Sequence, residues 1–244
     1  MRAAAVIFGL ALAPMLVTLA GCGDAPASAS YFPLEAGHRW TYELRTEWDN
    51  LSLDRETRVL INLGEQSLPD GAAGGGRAWL RRSDAGAEYW LREDASGSYR
   101  VASKSDNQAE PEADKPHRYV LKLPLALGTQ WQASTTAYLL KRHNEFPPEI
   151  RYSHAPVLMT YQIAALGEAL STPAGDFKDC VRVQGQAVMK LFADPVNGFR
   201  DMPLSTTEWY CKGVGLARLV REEPTKQSTF IQGGKLVMDL VDWR

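Results

Sequence analysis

From Tyr31 to the C-terminus, apolar side chains recur at alternate positions, a period that only a β-strand can sort onto one face. The pattern opens with Trp40, Tyr42 and Leu44 on one side and Thr41, Glu43 and Arg45 on the other. Further strands are expected near 54–64, 76–83, 87–93, 97–104, 117–123, 130–142, 156–168, 178–192, 204–212, 215–223 and 227–243. Turn chemistry separates them at Pro69-Asp70-Gly71, Gly74-Gly75-Gly76, Asp84-Ala85-Gly86, Ser96-Gly97, Gly213-Val214-Gly215 and Gly233-Gly234. No segment beyond residue 21 carries a long helical stripe. The expected fold is mainly β: a single curved antiparallel sheet, a half-barrel or open barrel, with few short helical turns around Ala113 to Pro116 or Ala174 to Asp179.

The first 22 residues fix the compartment. Arg2, an apolar run from Ala3 to Ala20 and the sequence Leu19-Ala20-Gly21-Cys22 spell a bacterial lipoprotein signal. Residues 1–21 are read as the signal peptide, and Cys22 as the residue that carries diacylglycerol and palmitate. An ordinary signal cut elsewhere, or an uncleaved helix, is the alternative, but the run is short for a membrane span. Residues 22–30 are small and polar and read as a flexible tether that extends to at most about 30 Å. Residues 31–244 form one antiparallel β domain, long enough to bury a substantial core.

The chain carries 27 Lys and Arg against 29 Asp and Glu, and only Arg2 departs with the leader. That balance excludes a nucleic-acid binder, which concentrates positive charge to replace counterions along phosphates. Of the three cysteines, Cys180 and Cys211 remain after acylation of Cys22, both in strand-like segments and both facing an oxidising periplasm in a Gram-negative cell. A disulfide is the economical reading, closing a loop of about 32 residues worth roughly 3 to 4 kcal/mol. Two buried thiols or a redox pair are the alternatives; a redox pair usually needs a closer Cys-x-x-Cys spacing.

Two stretches read as loops: Lys104 to Pro116, rich in acid and nearly free of apolar residues, and His143 to Pro156 through Pro147-Pro148. The segment Phe32-Pro33-Leu34-Glu35-Ala36-Gly37-His38-Arg39-Trp40 recurs as Leu123-Pro124-Leu125-Ala126-Leu127-Gly128-Thr129-Gln130-Trp131, with Pro, Leu, Gly and Trp in register. Proline stiffens the approach, leucine plugs the sheet edge, glycine permits the reversal and tryptophan covers the first inward position of the next strand. The pattern reads as one strand-starting device used twice.

On Tyr31 to Tyr42, the chain resembles a group of bacterial exported proteins that begin with Tyr-Phe-Pro-Leu-x-x-Gly-x-x-Trp-x-Tyr. The resemblance extends to a Thr-Pro-Ala-Gly-x-Phe-x-x-Cys element, here Thr172 to Cys180, and a Tyr-x-x-Gly-Val-Gly element, here Tyr210 to Gly215. It implies a curved sheet similar to the half-barrels of the lipoprotein carriers LolA and LolB, and brings no activity or catalytic set. By resemblance to enteric lipoproteins, in which Asp after the lipidated cysteine favours inner-membrane retention, Gly23 implies the outer membrane, facing the periplasm.

Local chemistry is sparse. His38, His117, His143 and His154 fall in no metal-ligand spacing, and no Gly-x-Ser-x-Gly elbow or base-flanked nucleophile occurs. Gly213-Val214-Gly215 is followed by a strand-like segment rather than a helix, which fits a hairpin and not a phosphate loop. No cofactor, metal or catalytic residue is expected, and the chain is not read as an enzyme. Seven tryptophans are assigned mostly to the core, with Trp48 and Trp90 expected to be partly exposed. The expected role is a membrane-anchored envelope lipoprotein that binds an apolar ligand, lipid or protein partner. The alternative is a structural or envelope-assembly lipoprotein without a small-molecule site, recognisable by a sheet whose concave face is filled; a periplasmic hydrolase ranks below both.

Overall fold

The computed structural model describes residues 30–68, 75–142, 155–194, 198–225 and 231–244. The signal peptide, Cys22 and the tether up to residue 29, the Pro69-Asp70-Gly71 turn, Gly74, Pro147-Pro148, His143 and His154 lie outside the described residues.

Fourteen strands follow one another in the described chain: β1 (Arg39–Trp48), β2 (Leu53–Ser67), β3 (Arg77–Ser83), β4 (Glu88–Asp94), β5 (Gly97–Lys104), β6 (Glu112–Lys122), β7 (Gln130–Thr135), β8 (Lys141–Arg142), β9 (Val157–Thr172), β10 (Gly175–Asp194), β11 (Gly198–Cys211), β12 (Gly215–Glu223), β13 (Ile231–Gln232) and β14 (Gly234–Trp243). Twelve of them form one antiparallel sheet in the order β6-β5-β4-β3-β2-β1-β14-β12-β11-β10-β9-β7. The remaining pair, β8 and β13, makes a small second sheet. Most neighbours are joined by hairpins, so the sheet curls as a meander, and register shifts at Thr41/Tyr42, Asn62/Gly64, Trp90/Leu91 and Trp209/Tyr210 mark where bulges bend it.

Curvature brings the two edge strands, β6 and β7, face to face without a backbone ladder between them. Side chains bridge the seam instead: Trp131 Nε1 donates to the carbonyl of Tyr119 at 3.3 Å and Arg118 Nε donates to that of Ser134 at 3.2 Å. Strand β6 suits an edge, because Pro116 offers no N–H and the strand carries Glu112, Asp114, Lys115, His117 and Arg118. The fold is therefore a nearly closed twelve-stranded barrel.

Alternation places Trp40, Tyr42 and Leu44 of β1, Met202, Leu204, Thr206, Glu208 and Tyr210 of β11, and Val181 and Val183 of β10 among the buried residues. The largest core cluster joins both halves of the sheet, with Leu91 and Leu121 packed against Trp131, Met159, Tyr161, Ile163 and Val183. Burial of such side chains contributes about 1.5 to 3 kcal/mol each.

Four expectations need correction. The two stretches proposed as helical turns are strands, and no described residue is helical. The acidic segment read as a loop to Pro116 joins β6 from Glu112 onward, because an edge strand needs one paired side only; Arg100 holds Asp114 through two bonds of 2.7 and 2.8 Å. The strand expected over 130–142 stops at Thr135, and the next residues cross the barrel end. Gly233-Gly234 is not a hairpin turn but a close backbone approach, since a Cβ on Gly233 would lie 2.0 Å from the Glu223 carbonyl and one on Gly234 2.5 Å from that of Glu47.

The repeated segment behaves as one device. Gly37 N donates to Asn62 O and Asn62 N to His38 O; in the second copy Gly128 N donates to Ile163 O and Ile163 N to Thr129 O. Both glycines have positive φ, +91° and +83°, and both tryptophans, Trp40 and Trp131, are buried at the start of their strands.

Cys180 and Cys211 face each other across β10 and β11 and are joined as a disulfide over a sequence separation of 31. The loop-entropy relation assigns it about 3.7 kcal/mol. The Cys180→Ala/Cys211→Ala variant should lose that amount in urea unfolding, and reductant should shift the wild-type midpoint but not that of the variant.

Candidate functional site

The three sequence elements behind the family resemblance converge at one end of the barrel. Gly213 N donates to Ser30 O at 2.9 Å, Trp40 Nε1 to Val214 O at 2.6 Å, and Tyr31 Oη to Asp179 Oδ1 at 2.7 Å. Burial and that bond push the Tyr31 hydroxyl up to about 12, so it stays a donor at neutral pH. Gly215, at φ +91°, leaves room for Pro33, which a Cβ there would approach to 3.3 Å. The described chain therefore begins at the end where β11 finishes and β1, β10 and β12 start; this is the near end, and the opposite one is the far end.

Beneath this contact lies a buried cation. Arg81 donates through Nε to Asn62 Oδ1 at 2.8 Å and through Nη2 to Pro33 O at 2.9 Å, and its guanidinium stacks 4.4 Å from the Phe32 ring centre and 4.5 Å from that of Trp40. Asn62 Nδ2 donates in turn to Pro33 O and Glu35 O, both at 3.1 Å. Burial pulls the Arg81 pKa down to about 10, against the pull of the Tyr42 and Tyr210 oxygens, so it keeps its charge at neutral pH. This arrangement anchors the segment from Tyr31 to Glu35.

Further along, the interior holds a second polar group. Glu208 accepts from Tyr210 Oη at 2.5 Å and from Thr206 Oγ1 at 3.3 Å, while Arg118 Nη2 donates to Tyr161 Oη at 3.4 Å. Burial first, then the Glu208 charge and hydrogen bond, raise the Tyr210 pKa well above the usual phenolic value. At the far end of β12, Arg221 and Glu223 are both fully buried and bonded at 2.7 Å. The Glu223 carboxylate accepts the backbone N–H groups of Tyr138, Leu139 and Leu140, and Arg221 Nη2 donates to Thr136 O. These bonds strap residues 136–140 across the barrel end. They satisfy buried charge with donors and acceptors of fixed geometry, which is a structural use of ions.

The far end carries the open concavity. A groove of about 780 Å³ lies between the β1–β2 turn and the neighbouring part of β11. Its floor is a row of directly opposed residues across five strands: Ser205, Glu222, Lys235, Glu47 and Leu53. Trp48, Leu51, Pro203 and Pro224 supply apolar walls. Leu51 is 94% exposed and, at φ 66°, is the one described non-glycine residue in the left-handed region. Asp49 fixes this rim by accepting from Thr225 N at 3.0 Å, Thr225 Oγ1 at 2.5 Å and Gly233 N at 3.2 Å.

Cys180 and Cys211 come together as a disulfide, whereas Cys22 lies outside the described residues. His38 stacks on Trp40 and His117 on Tyr99, distant in the fold from the groove. Among the described residues, no three His, Cys, Asp or Glu side chains converge in a metal-binding geometry. Trp48 is half-exposed as expected, with Lys141 Nζ 3.5 Å from its ring centre. Trp90 is not: it is 5% exposed, packed with Leu80, Tyr99 and Ala102, and its Nε1 has no partner. Its strand has apolar neighbours on both faces, which flanking charges at Arg92 and Glu93 concealed. Sequence reading also passed over Arg81, Glu208, Arg221 and Glu223. Strict alternation was the available signal, since Arg221 and Glu223 share parity with Leu219.

The sequence matches no family model and no curated protein. Three solved structures are similar in shape. A candidate lipoprotein from Parabacteroides distasonis superposes with a TM-score of 0.41 at 14% identity, over 89% of this chain and 99% of its own. A candidate exported protein with a YmcC-like fold from Bacteroides fragilis gives 0.38 at 14% identity, over 88% and 99%. A LolA superfamily protein from Nitrosomonas europaea gives 0.30 at 10% identity, over 87% of each chain. At these scores and identities the likeness lends no activity to this chain.

Replacing Arg81 by Met would keep the bulk between Phe32 and Trp40 but orphan Asn62 Oδ1, an effect of about 1 to 3 kcal/mol. We expect that loss in urea unfolding, together with faster proteolysis near Ser30. Unchanged cleavage there would show that the segment is held by other contacts.

Proposed function

We propose that this chain is a lipid-anchored lipoprotein of the bacterial cell envelope that works as a binding scaffold on its outer surface, rather than as an enzyme or a carrier that encloses a lipid. The signal ending at Cys22 supports residence at a membrane, and Gly23 favours the outer one. The partner on this reading is a segment of another envelope protein seated in the far-end groove.

The observation that carries the reading is the packed interior. A Cβ on Gly185 of β10 would lie 2.7 Å from Thr206 Cγ2, 2.8 Å from Met159 Sδ and 2.8 Å from Tyr161 Cε1. Side chains that leave no room for one methyl group leave none at that level for an acyl chain. The groove by contrast is open, and its rim is held by Asp49.

Native mass spectrometry of protein extracted from its own membranes should show the chain with its Cys22 acyl groups and nothing else; a stoichiometric co-purifying lipid would overturn the scaffold reading. Cys22→Ser should move the protein from the membrane to the soluble periplasmic fraction. Gly185→Ala should cost about 1 to 3 kcal/mol, as overpacking does. Unaltered stability there would point to a hollow interior.

A further inference from the structure

The second copy of the strand-starting device departs from the first at its entry, where Leu123 and Pro124 are exposed and Phe32 and Pro33 are buried, and at its turn. In the first copy the turn positions are Glu35 and Ala36, exposed and small or charged. In the second they are Ala126 and Leu127, and Leu127 is 68% exposed, with Leu123 at 39%. Since Ala36 serves at the equivalent place, the turn itself does not need a leucine. No residue from Leu123 to Trp131 is charged.

This turn is rigid. Leu123 N donates to Ser96 O at 2.9 Å, Gly128 N to Ile163 O at 2.9 Å, and Thr129 N to Ala126 O at 3.1 Å, while Thr129 Oγ1 donates to Pro124 O at 2.8 Å. An apolar tip with these backbone groups already paired can leave water without orphaning them. It also lies at the near end: Ser30, Tyr31, Leu123 and Leu125 line one depression of about 250 Å³. From Ser30, eight residues lead back to Cys22, a reach of no more than about 30 Å. The neighbouring acids are already engaged, Glu93 by Ser98 Oγ and Asp94 by Ser96 N, Ser96 Oγ and Tyr99 Oη.

We infer that the turn from Leu123 to Gly128 is a membrane-contact element, which inserts Leu127 and Leu123 into the bilayer that holds the Cys22 lipid and so orients the barrel with its groove facing away. The inference rests on the anchored reading above. The occupant is a lipid surface, because the tether delivers one to this end of the molecule. A single lipid attachment restrains distance but not orientation, and a second contact removes most of that freedom.

The test uses the mature lipoprotein reconstituted in phosphatidylethanolamine and phosphatidylglycerol vesicles. Because Cys22 is acylated and Cys180 and Cys211 are bonded, an environment-sensitive fluorophore attaches only at an introduced thiol, Leu127→Cys or, at the far end, Leu51→Cys. Lipid-borne spin labels should quench the first several-fold more than the second, and aqueous iodide should show the reverse order. In a second variant, Leu127→Ala, which copies Ala36, should remove most lipid quenching of a fluorophore at Leu123→Cys while leaving the unfolding midpoint in place. A Leu127 probe open to iodide on protein that still floats with the vesicles would overturn this inference alone. A probe shielded from both quenchers would also overturn it, in favour of a protein contact. Failure of the unlabelled protein to float would overturn the anchor and the inference together.

Discussion

The near end of the barrel is organised around a guanidinium that has left water. A buried cation costs several kcal/mol unless its donors are met, and Arg81 meets a carbonyl, an amide oxygen and two aromatic faces. Charge-assisted bonds of this type are about twice as strong as neutral ones, and each desolvated ring contact adds roughly 1 to 2 kcal/mol. The consequence is mutual dependence. Pro33 O cannot leave without exposing Arg81, and Arg81 cannot leave without separating Phe32 from Trp40. The segment before β1 is thereby fixed as a plug, so Phe32 and Leu34 become core residues although they belong to no strand.

With that plug in place, closure of the sheet needs little from its edges. A full ladder between β6 and β7 would require N–H groups that Pro116 withholds and a strand free of the charges that β6 carries. The seam relies on the Trp131 indole and the Arg118 guanidinium, two long side chains that span a gap the backbone does not. The same charges keep β6 from serving as a template for strand addition, the usual hazard of an edge. Bulges distribute the bend among several strand pairs, and positive-φ glycines at turns such as Gly97 let neighbours approach closely: a Cβ there would meet Leu121 O at 2.1 Å.

Much of this architecture was legible from period and turn chemistry. Strands β3, β4, β5 and β12 begin and end within one residue of expectation, because alternation and Gly-containing turns bound them on both sides. Cysteine arithmetic led to the bridge, and the echo of Phe32 to Trp40 in Leu123 to Trp131 led to a shared hydrogen-bond pattern. The failures share a cause. Local composition was trusted where tertiary context decides: an acidic segment became a strand because it pairs on one side only, Trp90 was buried by neighbours on a face assumed wet, and Arg221 and Glu223 were passed over although parity points them inward. Residues 136–140 look like strand continuation in sequence and instead cap the barrel, held by the Glu223 carboxylate. The groove was invisible for a different reason. It arises where β11 passes the β1–β2 turn, a relation between distant segments that no local pattern encodes.

A hollow interior would be costly in this barrel. To hold an acyl chain, an interior of this kind would need a void of several hundred cubic ångströms, and unfilled core volume costs about 24 cal/mol per Å³. A 300 Å³ void would thus cost roughly 7 kcal/mol, comparable with the whole stability of an ordinary domain. This chain carries Met159, Tyr161, Thr206 and Met202 at the positions where such a void would lie, and the buried Arg221–Glu223 pair fixes the far-end strap instead of opening it. A scaffold needs the opposite of a hollow: a stiff body whose two ends can differ in chemistry without disturbing each other. The near end combines a pinned plug with an uncharged turn, the far end an acid-fixed rim with an apolar-walled groove, and the run of β11 from Ser205 to Cys211 keeps them roughly 20 Å apart.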